Sequence, residues 1–243
     1  MKNKMVSISE VFFVGHTTLN TLIKIMEDYK NYEILALSEL LAESLDISKS
    51  LFILLKANQT AGLESMLRIL FEKKVYIQYI LEYDSERRAN ALRLSKSIEI
   101  DKVSKTIKNN WKEYRQFLEM DRQGYNNLEL DLNLRELKKE YRKLYNHYPK
   151  NWYSDDPQKK SFYDLCKSLN LDAEYNLIFR LFSFEIHSKQ GYDYLTYKPD
   201  ENKVSLKEHE LKDIPYETIV VSFLDKIIEC ISKRYEMGPI EKV

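Results

Sequence analysis

Glycine and proline are scarce in this chain, with five of each among 243 residues. Phosphate-cradling loops need glycine, and neither GxGxxG nor GxxxxGK(S/T) occurs. Cysteine is rarer still. Cys166 and Cys230 fall on separate predicted helices without a CxxC spacing, which suits reduced thiols in a cytoplasm and argues against a disulfide framework. The four histidines, His16, His147, His187 and His209, are scattered, and no HExxH places two of them on one helix face. No metal or other cofactor is therefore expected. A GxSxG elbow is missing, so a serine hydrolase finds no support. No window reaches about 18 uninterrupted apolar residues, and no membrane partner is expected. The run Val11-Phe12-Phe13-Val14 follows two lysines but is too short, and lacks the small-residue cleavage site, for a signal peptide. An excess of one charge is lacking too: 38 basic residues face 38 acidic ones. That balance disfavours a strongly basic DNA-binding protein and leaves room for a local basic groove.

What remains is helical in character. Charged residues make up 31% of the chain, with many Leu, Ile, Lys and Glu between them. The expected fold is all-α: a single domain over residues 1–243, an antiparallel bundle of about six to eight helices. Its core spans 9–188, with a C-terminal helix over 215–236 packed on it. A first helix is predicted from Ser9, as cap, to Tyr29. A second runs from Tyr32 to about Lys56, with a bend near Asp46–Ser48, and a third over 61–84. A long charged helix starts at Ser85 with a break near Ile100–Asp101, and a basic helix covers Leu134 to Tyr148. Asp155 or Asp156 would cap a short helix ending near Leu169. A small hairpin is the one sheet-like element anticipated, between Tyr192 and Leu206.

The stretch Asp172 to Gln190, DAEYNLIFRLFSFEIHSKQ, organises the functional reading. It is predicted as a continuous α-helix, apolar nearly all round and hence buried. At about 100° per residue, Asn176, Arg180, Ser183 and His187 form one narrow polar stripe. Arg180 and His187 stand two turns apart, about 10.5 Å along the axis. An imidazole titrates near neutrality and a guanidinium suits phosphate. His187 would act as general acid or base on a ribose 2′-hydroxyl or a leaving 5′-oxygen, and Arg180 would stabilise charge on phosphorus. The competing reading is a buried structural network in which these four groups satisfy one another.

Two other faces support that reading. On the third helix Glu64, Arg68 and Glu72 follow one another at four-residue spacing. They are either a solvated ion ladder or a polar face turned toward the Arg180/His187 stripe, with Glu72 or Arg68 supporting it. On the basic helix, Lys138, Lys139 and Arg142 interleave with tyrosines including Tyr145. Such a pattern binds RNA through phosphates and stacking, or else is an ordinary solvated face.

The segment Arg180-Leu-Phe-Ser-Phe-Glu-Ile-His187 resembles the R-x(4–6)-H motif of HEPN-domain ribonucleases, helical proteins frequent in toxin–antitoxin, abortive-infection and CRISPR systems. Leu181 departs from that family, which often has a polar residue after the Arg. The resemblance implies a metal-independent endoribonuclease of toxin or phage-defence type, with Arg180 and His187 of two subunits facing each other in a homodimer. The chain is also similar to an uncharacterised bacterial all-helical family, through LRILFEKKVYIQYILEYDSERRANA, the Trp152 region and YNLIFRLFSFEIHSK. That likeness implies no activity. The alternative to an enzyme is an interaction or sensor module that binds a protein partner or inhibitor through tyrosine-rich surfaces such as Tyr141 and Tyr145.

Overall fold

Residues 7–28, 31–59, 62–110, 134–145, 151–154, 161–180, 195–201, 203–206 and 215–237 are described by a computed structural model. The first helix, α1 (Ile8–Asp28), begins directly after a reciprocal cap. The Ser7 hydroxyl accepts from Glu10 N–H at 3.2 Å while Glu10 accepts from Ser7 N–H at 2.8 Å. The cap is thus Ser7 and not Ser9, because only Ser7 has a glutamate three residues on. Helix α2 (Tyr32–Lys56) is unbroken through Asp46–Ser48. Asn31 accepts from Ile34 N–H at its start, and the carboxylate of Glu86 accepts from Tyr32 and Glu33 N–H at 3.0 and 2.9 Å. These bonds satisfy three of the amides that a helix start leaves open.

Helix α3 (Leu63–Glu82) is the centre of the fold. Leu63, Leu67, Leu70, Phe71, Val75, Ile77, Tyr79 and Ile80 are all fully buried along it. It packs against α2, against α4 (Ser85–Asn109) and against α8 (Tyr216–Arg234), the last lying also on α1 and α2. Val220, Leu224, Ile227 and Ile231 are buried on α8, so the C-terminal helix is part of the core and no mere cover. Each such side chain contributes about 1.5–3 kcal/mol relative to exposure. Gly15 lets α2 come close: a Cβ there would stand 2.7 Å from Leu45 Cδ2. The carboxylate of Glu33 accepts from Arg234 Nε at 2.8 Å and from the Tyr235 hydroxyl at 3.1 Å, locking the end of α8 to the start of α2.

Helix α4 is continuous through Ile100–Asp101 and carries α5 (Leu134–Tyr145) on one side. Its buried Arg88 pins the α3–α4 corner, with the guanidinium 3.7 Å from the Tyr79 ring and 3.5 Å from the Tyr83 ring. Helix α6 (Phe162–Ser168) starts at Ser161, which forms a capping box with Asp164; the Asp155, Asp156 and Pro157 start lies outside the described residues. Strands β1 (Leu195–Lys198) and β2 (Lys203–Leu206) pair antiparallel with Leu195 opposite Leu206. They form the small hairpin within the interval anticipated for one. Among the described residues the fold is all-α apart from that ribbon.

The segment from Asp172 differs most from expectation. It opens as a single turn, α7 (Asp172–Glu174), and continues as a π-helical turn over Tyr175–Arg180. A π-turn takes in one more residue per turn than an α-helix. The 100° stripe joining Asn176 to Arg180 therefore does not hold over this stretch. Nor is the segment buried all round: Ile178 is in the core, but Leu177 is 58% exposed.

Candidate functional site

The polar face of α3 meets the π-turn at Phe179, while its expected approach to Arg180 and His187 concerns side chains outside the described residues. Arg68 lies with its guanidinium carbon 3.8 Å from the centre of the Phe179 ring and pairs with Glu72 at 3.6 Å. Burial raises the Glu72 carboxyl above its ordinary range, with Arg68 and Lys73 drawing it back. Glu64 is buried and accepts from the Tyr216 hydroxyl of α8 at 3.1 Å. The four-residue ladder is thus partly covered by α8 and the π-turn: Glu64 is buried, and Arg68 and Glu72 are half-buried. Behind it, Lys74 is buried, donates to Glu174 in α7, and lies 4.8 Å from the Phe223 ring.

An aromatic cluster joins these parts. Phe162 of α6 touches Phe71, Tyr76, Tyr153, Tyr175 and Phe179 within 6.5 Å between ring centres. Trp152 packs edge-on to Tyr76 and Tyr79 at 5.1 and 5.4 Å. Two tyrosine hydroxyls hold the turn that carries it: Tyr79 donates to the Tyr153 carbonyl, and Tyr145 donates to that of Trp152. Burial pushes the Tyr153 hydroxyl up to about 12, and Tyr76 rises for the same reason. Cys166 sits under the cluster, its thiol pushed up to about 12 by burial and by the carboxylates of Glu174 and Glu72. Such a thiol stays protonated near neutrality and is no nucleophile. Sequence reasoning gave Lys74 no role and read Cys166 only as a reduced thiol.

The three stretches that meet here, 67–91, the Trp152 turn and the π-turn, carry the likeness to an uncharacterised family. The profile of a family of unknown function, DUF5677, matches residues 34–203, well over half of the chain. The chain belongs to the DUF5677 family. No curated protein and no solved structure matches it significantly. The DUF5677 region takes in α2 through most of the hairpin and leaves out α1 and α8, although α8 closes the core around it.

Within this DUF5677 fold the predicted site residues separate. Arg68 and Glu72 come together beside the π-turn. Arg180 ends that turn, and only its backbone is described; Ser183 and His187 lie outside the described residues. Asn176 is exposed and its amide nitrogen donates to the Asp172 carbonyl at 2.9 Å, a local bond that steadies the turn. On α5 the cations stand apart from the aromatics. Arg135, Lys138, Lys139, Arg142 and Lys143 line one groove of about 630 Å³. Tyr145 does not share it: the ring is only 7% exposed, against Tyr141 at 5.4 Å. Its expected role as a stacking platform is thereby corrected. Leu137, Tyr141, Leu144 and Tyr145 share the face that α5 turns toward α4, and an amphipathic helix buries that face. Tyr141, expected as an exposed docking residue, is buried for the same reason. Among the described residues no three His, Cys, Asp or Glu side chains gather as metal ligands would, and no helix is long and apolar enough to cross a membrane.

Proposed function

We propose that this chain is a metal-independent endoribonuclease of toxin or phage-defence type, working in the cytoplasm as a homodimer. The observation that carries the reading is the α5 groove, where five cations face outward together and no carboxylate joins the lining among the described residues. A face of that kind attracts a phosphate backbone. The chemistry rests on the resemblance of Arg180 to His187 to the HEPN R-x(4–6)-H motif. In the proposed step a 2′-oxygen attacks phosphorus, the bond to the 5′-oxygen breaks, and a 2′,3′-cyclic phosphate remains. One His187 imidazole accepts the 2′-hydroxyl proton and the imidazole of the second copy donates one to the 5′-oxygen, which is why two subunits are invoked. Arg180 neutralises charge building on the phosphoryl oxygens. Ser183 would orient the phosphate, and Arg68 with Glu72 would hold the π-turn that carries Arg180.

A second reading, an interaction module with a purely structural Arg/His stripe, draws on the local bond of Asn176 to Asp172 and on the stacking of Arg68 over Phe179. The deciding experiment incubates wild type, Arg180→Ala and His187→Ala with total RNA in EDTA. Wild type should cleave, both variants should lose activity, and a 2′-deoxy substitution at the cut nucleotide should block it. Equal cleavage by all three, or none by purified wild type freed of any inhibitor, favours the module. A monomer by light scattering at tens of micromolar would remove the two-copy site.

A further inference from the structure

Helices α3 and α8 lie side by side and run the same way, since Glu64 meets Tyr216, Phe71 meets Phe223 and Gln78 meets Cys230. That register sets Lys74 and Gln78, one turn apart on α3, against Ser222, Asp225 and Lys226 on α8. Leu171 and Glu174 close the third side of a crevice of about 250 Å³. Ser222, Asp225 and Lys226 are exposed at its rim, whereas the Lys74 side chain is only 5% exposed. An ammonium carries three N–H donors. Lys74 gives one to Glu174 and otherwise meets the faces of Phe71 and Phe223, 5.8 and 4.8 Å from the ring centres. No second oxygen accepts from it among the described residues. Lys226 is turned to Glu229, to which it donates at 2.8 Å, so Lys74 is the cation that the crevice keeps for a ligand.

We propose that this crevice binds a small free α-amino acid, whose carboxylate takes the remaining donors of Lys74 and whose ammonium lies between Glu174 and Asp225. The charges of the lining decide the class. A simple anion reaching Lys74 would stand beside two carboxylates, and a simple cation would meet two ammonium groups. Like charges brought together in a half-closed space oppose binding. A zwitterion carries both signs in one molecule and avoids either penalty. Ser222 and the Gln78 amide add hydrogen-bonding groups that donate and accept. Drug-sized ligands occupy about 300–1,000 Å³, so a crevice of about 250 Å³ fits a smaller molecule, with Leu171 as an apolar wall for a short side chain. The inference stands apart from the ribonuclease reading and uses none of its residues.

The test is the melting temperature of the full wild-type chain by scanning calorimetry at pH 7. Alanine, serine, threonine, valine, leucine, glutamine and glutamate are each added at about 10 mM. At least one should raise Tm along a saturating curve, by about 3–5 °C for an affinity of about 1 mM. Propionate and propylamine, each with one of the two charges, should move it by less than about 1 °C. Lys74→Met and Asp225→Asn should each weaken the best amino acid at least tenfold, which leaves under about a third of the shift. Asp225 is exposed, so its variant stays folded whatever Lys74→Met does, and circular dichroism checks both. No shift with any of the seven overturns the inference, as does a full shift kept by either folded variant. A shift as large with propionate alone overturns it in favour of a plain anion site. A rise that stays linear to about 100 mM overturns it as general solvent stabilisation.

Discussion

Removing either partner of the Lys74–Glu174 pair should have very different consequences. The Lys74 side chain is 5% exposed and that of Glu174 is 41% exposed, so the two ends of one ion pair sit in different solvents. Glu174→Ala leaves an ammonium in the interior beside Phe71 and Phe223. Stripping the partner from a fully buried charge costs about 3–5 kcal/mol. Here a crevice of about 250 Å³, lined by Lys74, Gln78, Ser222, Asp225 and Lys226 among others, gives water and Asp225 access to that end. The expected loss is therefore about half, near 2 kcal/mol, or about 4–8 °C in Tm for a chain of this size. Lys74→Met keeps the packing against the two rings and releases a carboxylate that water solvates. It should stay within about 1 kcal/mol of wild type, in either direction. On the Lys74→Met background, Glu174→Ala should then be nearly silent. Urea unfolding of the four proteins of this cycle, followed by circular dichroism, reads all three values. If Lys74→Met is as damaging as Glu174→Ala, the pair is a net stabiliser and the argument from unequal burial is wrong.

Three further outcomes follow from the geometry around α3. Because burial raises the folded-state Glu72 carboxyl above 4.5, its contribution is fully present below that value and is lost as pH rises through the folded-state pKa. Glu72→Gln should accordingly be the more stable protein at pH 7, with the gap closing toward pH 4; a gap that widens on acidification would show that Arg68 and not burial governs the site. Tyr145→Phe removes the bond to the Trp152 carbonyl and should cost about 1 kcal/mol in urea unfolding while leaving oligonucleotide affinity unchanged; lost affinity would restore Tyr145 as a stacking residue. Cys166, buried and with its thiol near 12, should resist iodoacetamide at pH 8 in the native protein and label in urea; rapid native labelling, resolved from Cys230 by peptide mapping, would contradict the packing under Phe162 and Tyr76.

The helices were legible in the residues because helix formation is written in local periodicity. The runs Leu35 to Leu55 and Leu63 to Leu81 mark α2 and α3 within three residues at each end, and Ile219 to Ile231 marks α8. The inward face of α5 was legible too, since Leu137, Tyr141, Leu144 and Tyr145 repeat at helical spacing; reading tyrosine beside lysine as a nucleic-acid surface ignored that register. The Arg180 and His187 pairing belongs to the sequence alone.

Other features depend on neighbours far along the chain, and no local pattern encodes them. Whether Glu64, Arg68 and Glu72 meet water or protein is set by Tyr216 and Phe179, more than 100 residues away. The burial of Lys74 requires α7 and α8, 100 and more residues further along the chain, to close on α3. The π-turn at Tyr175–Arg180 has no signature in composition, yet it changes which side chains share a face. Residue types and their spacing determined that this chain makes amphipathic helices with a basic one among them. Tertiary packing decided which charges lost their water, because desolvation is a property of the surroundings and not of the residue.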